Sequence, residues 1–113
     1  MLGRVAVGPS VLLEGTPLSA RAVALDSSHT MGWDEIVPPS KCLRVAAGAE
    51  GEGTGLEGRL IERATGDELD RSHSSNAIGV RACAAPNAPR SVRVEMRVTA
   101  GKLDLVIGER VGD

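Results

Sequence analysis

The sequence is nearly devoid of aromatic side chains: its 113 residues include no Phe and no Tyr, and Trp33 stands alone. Stacking platforms for bases and sugars are built from several aromatic faces, and one indole cannot supply them. Lysine is almost as scarce, limited to Lys41 and Lys102, so arginine carries most of the positive charge. Thirteen basic residues against fifteen acidic ones leave a net charge of -2. The basic residues are scattered singly, which argues against nucleic acid or an anionic lipid surface as a partner.

Long apolar runs are also missing. The stretch from Val5 to Leu13 is interrupted by Gly8, Pro9 and Ser10, too broken for a secretory h-region and far too short to cross a bilayer. Membrane insertion is therefore not expected, and no signal peptide is visible in the chain. Histidine is limited to His29 and His73, each set among serines, in Ser27-Ser28-His29-Thr30 and Ser72-His73-Ser74-Ser75. A serine hydrolase places its nucleophile on a strained elbow with a base brought from elsewhere. No such elbow is present, so the expectation is a protein without catalytic residues, not an enzyme. Cys42 and Cys83 belong to no CxxC or Cys/His cluster, which speaks against a metal held through them. A disulfide and a pair of free thiols both stay open.

What is present is an ordinary globular balance of 42% hydrophobic and 25% charged residues. A chain of this length buries roughly two-thirds of its unfolded surface, which fits one domain over residues 1–113. Alternation is clearest from Ser91 to Thr99, where Val92, Val94, Met96 and Val98 are in phase and polar residues lie between them, the period of a strand with one buried face. Ala100-Gly101-Lys102 then predicts a hairpin turn into a second strand through Leu103, Leu105 and Ile107, leaving an apolar second face around Val106. Ile78, Val80 and Ala82 mark another strand, ended by Pro86 and Pro89. A further strand covers Lys41 to Ala47. In it Cys42 shares a face with Arg44, while Cys83 shares one with Arg81, so both thiols lie opposite the main apolar rows.

Five of the fourteen glycines fall between Gly48 and Gly58, predicting a mobile surface loop. Leu56 to Arg63 and Glu68 to Arg71 read as two short strands around Thr65-Gly66-Asp67, followed by a polar connector from Ser72 to Asn76. Short strands are also expected at Arg4–Val7 and Val11–Leu13. Thr16-Pro17 could open a helix through Leu25, although strand is preferred over Arg21 to Leu25. Pro38-Pro39 predicts an extended corner. These readings give an all-β class: a small antiparallel β-sandwich, jelly-roll-like, with about eight strands and at most one short helix.

Gly53-Thr54-Gly55-Leu56-Glu57-Gly58 matches the GxGxxG pattern formally. That pattern binds a dinucleotide only between a buried strand and a helix N-terminus, and here Glu50 and Glu52 precede it without a strand-helix series. Among the carboxylates, Asp34 and Glu35 beside Trp33 form the candidate ligand or partner site. Asp67, Glu68 and Asp70 are the candidates for calcium, which takes several turn oxygens; no other cofactor is expected.

The run Lys41-Cys42-Leu43-Arg44-Val45, the Gly-rich loop, the hairpin from Ala64 to Arg71, Val80-Arg81-Ala82-Cys83 and Val92-Arg93-Val94-Glu95-Met96-Arg97-Val98 together resemble the small jelly-roll sandwiches of bacterial secreted proteins of the pre-peptidase C-terminal type. The likeness spans about Lys41 to Ile107 and rests on strand order and spacing. It implies an exported, non-catalytic accessory module, extracellular or in the cell envelope, with Cys42 and Cys83 oxidised to each other. Those domains usually carry aromatics where this chain has Val92 and Val94. The expected function is accordingly a structural or protein-protein interaction and assembly module of a bacterial extracellular or particle-forming system. The alternative is a small-ligand or carbohydrate-binding domain centred on Trp33, Asp34 and Glu35.

Overall fold

The computed structural model describes residues 16–112, which form eight strands and no helix. In chain order these are β1 (Thr16–Asp26), β2 (Thr30–Val37), β3 (Cys42–Glu50), β4 (Thr54–Glu62), β5 (Glu68–Ser74), β6 (Ala77–Cys83), β7 (Arg90–Ala100) and β8 (Lys102–Gly112). One antiparallel sheet has the order β1-β8-β3-β6, the other β2-β7-β4-β5. Strand pairs β1·β8, β2·β7, β3·β6 and β4·β5 are the rungs of one long folded hairpin whose tip lies between β4 and β5. Rolled up so that β8 meets β3 and β7 meets β4, it is the jelly roll.

The period-2 segments account for the core. Val92, Val94, Met96 and Val98 of β7 are buried, and Leu43 and Val45 of β3 face them from the opposite sheet's inner side. At Gly58 the absence of a side chain has a packing reason: a Cβ there would collide with Ile78 Cδ1 of β6. Ile78 therefore reaches from one sheet onto the bare backbone of the other.

Several expectations are corrected. β7 and β8 do not form a hairpin; the chain passes at Gly101 (φ 74°) from one sheet to the other, and β8 pairs with β1 and β3. Turn chemistry tells where the chain bends, not which sheet it enters. The Gly-rich stretch is mostly strand, since β3 runs to Glu50 and β4 starts at Thr54. Its glycines allow close approach: Gly53 N donates to Lys102 O at 2.8 Å, and a Cβ on Gly53 would strike the Lys102 backbone. The polar connector after Arg71 is largely the end of β5, and the helix alternative at Thr16 is replaced by β1, whose Arg21, Val23 and Leu25 lie on the inner face. Val106 is only 5% exposed, so the apolar second face expected around it is not open to solvent. The strands expected at Arg4–Val7 and Val11–Leu13 lie outside the described residues.

Cys42 and Cys83 are directly opposed on β3 and β6 and are joined by a disulfide. Ala84 N donates to Lys41 O at 2.9 Å beside them, which makes theirs a non-hydrogen-bonded pair, where antiparallel strands bring side chains closest.

Candidate functional site

Strand alternation separates the three residues expected to act together. On β2, Asp34 points outward, whereas Trp33 packs against the core and Glu35 turns inward with it. Two different environments result.

The inner one lies between the sheets. Arg21 of β1 places its guanidinium 4.5 Å from the centre of the Trp33 ring and 3.5 Å from Glu109 Oε1. Glu109 of β8 is 1% exposed and follows Leu103, Leu105 and Ile107 in the inward phase. Burial, reinforced by Glu109, pushes the Glu35 carboxyl up to about 7, although the Trp33 indole and Arg21 oppose this. The Trp33 indole N–H is buried and makes no hydrogen bond of good geometry. Arg21 and Glu109 were missing from the sequence-based candidates. The signal was available for Glu109: the alternation of β8 simply continues past Ile107, and an acid falls in phase with the core.

The outer environment is the exposed face of the β2-β7-β4-β5 sheet. Register sets Thr30, Arg97, Glu57 and His73 in one row across the strands, then Gly32, Glu95, Arg59 and Arg71, then Asp34, Arg93, Ile61 and Glu68. Opposite charges meet within and between these rows. Arg59 reaches Glu95 at 2.8 Å, Arg71 reaches Glu68 at 2.8 Å and Glu57 at 3.2 Å, and Arg97 reaches Glu57 at 3.2 Å. Asp34 sits 3.6 Å from both Arg63 and Arg93. Gly32 is what lets Arg93 lie across β2, because a Cβ there would meet its guanidinium. Burial raises Glu95, but Arg59 and Arg93 outweigh it and hold the carboxyl below its ordinary value. Glu68 is held low chiefly by Arg71. A depression of about 140 Å³ opens between Thr30, Glu57, Arg59, Arg71, Glu95 and Arg97. Ile36, 66% exposed, lies on the same face near its β2 edge.

The calcium candidates are engaged separately. Glu68 is paired with Arg71 and Arg59, Asp70 accepts backbone N–H groups of Arg71 and Arg81, and Asp67 N donates to Thr65 Oγ1. Among the described residues, no group of three His, Cys, Asp or Glu side chains is arranged to hold a metal. At the β1-β2 turn, Asp26, Ser28 and His29 come together, with Ser28 Oγ donating to Asp26 Oδ1 at 2.6 Å. His29 Nδ1 meets both Ser28 Oγ, at 3.0 Å, and Asp26 Oδ1, at 2.8 Å. A catalytic triad uses the two ring nitrogens for its two partners; here one nitrogen serves both, and the Ser28 hydrogen bond above all holds the Asp26 carboxyl at about 2. The group closes a turn.

No protein-family model matches the chain, and no curated protein matches it. Solved structures do. The chain is similar in fold to PliG of Aeromonas hydrophila, a periplasmic lysozyme inhibitor of g-type lysozyme, with a TM-score of 0.59 and 6% identity over 82% of this chain and 84% of that one. It is also similar to a CBM4 structure, with a TM-score of 0.53 and 8% identity over 86% of this chain and 76% of that one. At these identities the likeness is one of fold.

Proposed function

We propose that this chain is a non-catalytic binding module of an oxidising, extracytoplasmic compartment, and that it grips a protein partner through the outer face of β2-β7-β4-β5. The observation that carries this reading is the ion-pair lattice of that face, with Ile36 exposed beside it. Arg59, Arg71, Arg93 and Arg97 are each held by carboxylates, so they lose little side-chain freedom when a partner docks. Arginine is enriched at protein interfaces, and an apolar anchor beside it is the usual composition of a binding hot spot. A sugar platform is the weaker reading, because Trp33 is partly buried on the inner side of β2, with the Arg21 guanidinium over its ring. The Cys42–Cys83 disulfide supports an oxidising compartment, and the periplasmic inhibitor of similar fold supports both the location and a protein as ligand.

The test is a binding panel that includes secreted glycan hydrolases such as g-type lysozyme, the chain itself, and soluble glycans. The expected result is a salt-sensitive protein ligand whose binding is lost when Arg59 and Arg97 are both changed to Glu. Glycan binding that perturbs Trp33 fluorescence, with no protein bound, contradicts the proposal.

A further inference from the structure

Arg21, Arg59, Arg63, Arg71, Arg90, Arg93 and Arg97 hold carboxylates at ion-pair distance. Arg44 and Arg81 hold none among the described residues, and they stand directly opposite each other on β3 and β6. Arg110 of β8 lies opposite Arg44 on its other side, so the register draws a row of arginines across three adjacent strands. Like charges placed directly opposite destabilise a sheet. Nothing in the packing requires them, since these side chains lie on the outer face of β1-β8-β3-β6, away from the inner core.

Their surroundings form a small prepared recess. The disulfide between Cys42 and Cys83 is the neighbouring pair on the same face, and Arg81 Nη2 lies 3.5 Å from Cys42 Sγ. Ala46 and Gly79 are the next pair along, one with a methyl group and the other with no side chain, and a depression of about 160 Å³ opens there beside Arg44 and Arg81. Asp70, the acid at the rim, is occupied by backbone: Oδ2 accepts from Arg81 N at 2.8 Å and Oδ1 from Arg71 N at 2.9 Å.

We propose that Arg44 and Arg81 form a binding site for a phosphate group, free or as a monoester. A planar guanidinium binds phosphate oxygens through paired N–H groups. A single carboxylate is satisfied by one such fork, whereas a phosphate near neutral pH carries close to two charges and three acceptor oxygens, matching two guanidiniums. The site lies on the sheet opposite the proposed protein-binding face and does not depend on that reading.

Titration of the ¹⁵N-labelled chain with inorganic phosphate, and separately with glycerol phosphate, against chloride at equal ionic strength tests the site. The expected result is saturable shifts confined to the Arg44 and Arg81 side-chain N–H groups and the Gly79 amide. Saturation by the ester identifies a phosphorylated molecule as the source, and saturation by the inorganic ion alone identifies the free ion. Arg44→Gln should weaken binding roughly tenfold, the loss of a charge-assisted contact. Arg44→Glu should abolish it while raising Tm in chloride, because opposite charges then face each other across the strands. Shifts that do not saturate, an Arg44→Gln protein with wild-type affinity, or a lowered Tm in Arg44→Glu would overturn the proposal.

Discussion

Glu35 shows how much a single position depends on strand phase. Its neighbour Asp34 is tied to arginines on the outer surface, while Glu35 shares the space between the sheets with Glu109 of β8, Arg21 of β1 and the Trp33 indole. Its carboxyl, raised from 4.5 to about 7 in the folded chain, binds a proton there that the unfolded chain has already released. The folded state is thus favoured in acid and loses stability as pH rises from about 4.5 through about 7, with no further loss from this group above that. Urea unfolding at pH 5 and pH 8.5 should show a lower midpoint at the higher pH, and Glu35→Gln should flatten the difference. An unchanged slope in the variant would assign the titration to another group. None of this could be read from the sequence run Trp33-Asp34-Glu35, because adjacency along a strand places neighbours on opposite faces.

At the scale of elements, β7 was the most legible, since its four inward apolar residues alternate without interruption. β3 and β6 were legible for the same reason, down to the shared face of Cys42 with Arg44 and of Cys83 with Arg81. The glycines misled because a glycine that permits close packing looks the same in sequence as one that permits motion. Gly58 separates the two meanings: replacing it with Ala pushes a methyl into Ile78 Cδ1 and should cost about 1–3 kcal/mol, as overpacking of a tight core does. Chemical denaturation checks this, and a neutral effect would mean that Ile78 moves aside freely. The arginine row was invisible for a different reason. Arg44, Arg81 and Arg110 are far apart in sequence and meet only through the register of β6, β3 and β8.

At the scale of the molecule, the described residues form a jelly roll whose core is built mainly from Val, Leu, Ile and Met, with Trp33 as a partly buried aromatic at its margin. Such small side chains bury less apolar area each than aromatic ones do, so the crosslink between β3 and β6 carries weight. It closes a loop with a sequence separation of 41, for which the chain-entropy account gives about 4 kcal/mol. Reduction, or the double change Cys42→Ala and Cys83→Ala, should lower the unfolding free energy by an amount of that order, measured by urea titration; a loss near zero would show that strand pairing alone holds β6 in place. The two sheets also divide the chemistry, one presenting balanced ion pairs and the other Arg44 and Arg81, which hold no carboxylate among the described residues. The central claim, that the balanced face is the protein-binding one, is tested most directly by comparing one protein partner's affinity for wild type, Arg97→Glu and Trp33→Leu. The account predicts that Arg97→Glu weakens binding roughly tenfold or more, as loss of a hot-spot arginine does, while Trp33→Leu binds as wild type. The reverse pattern, with binding lost at Trp33 and kept at Arg97, would contradict it.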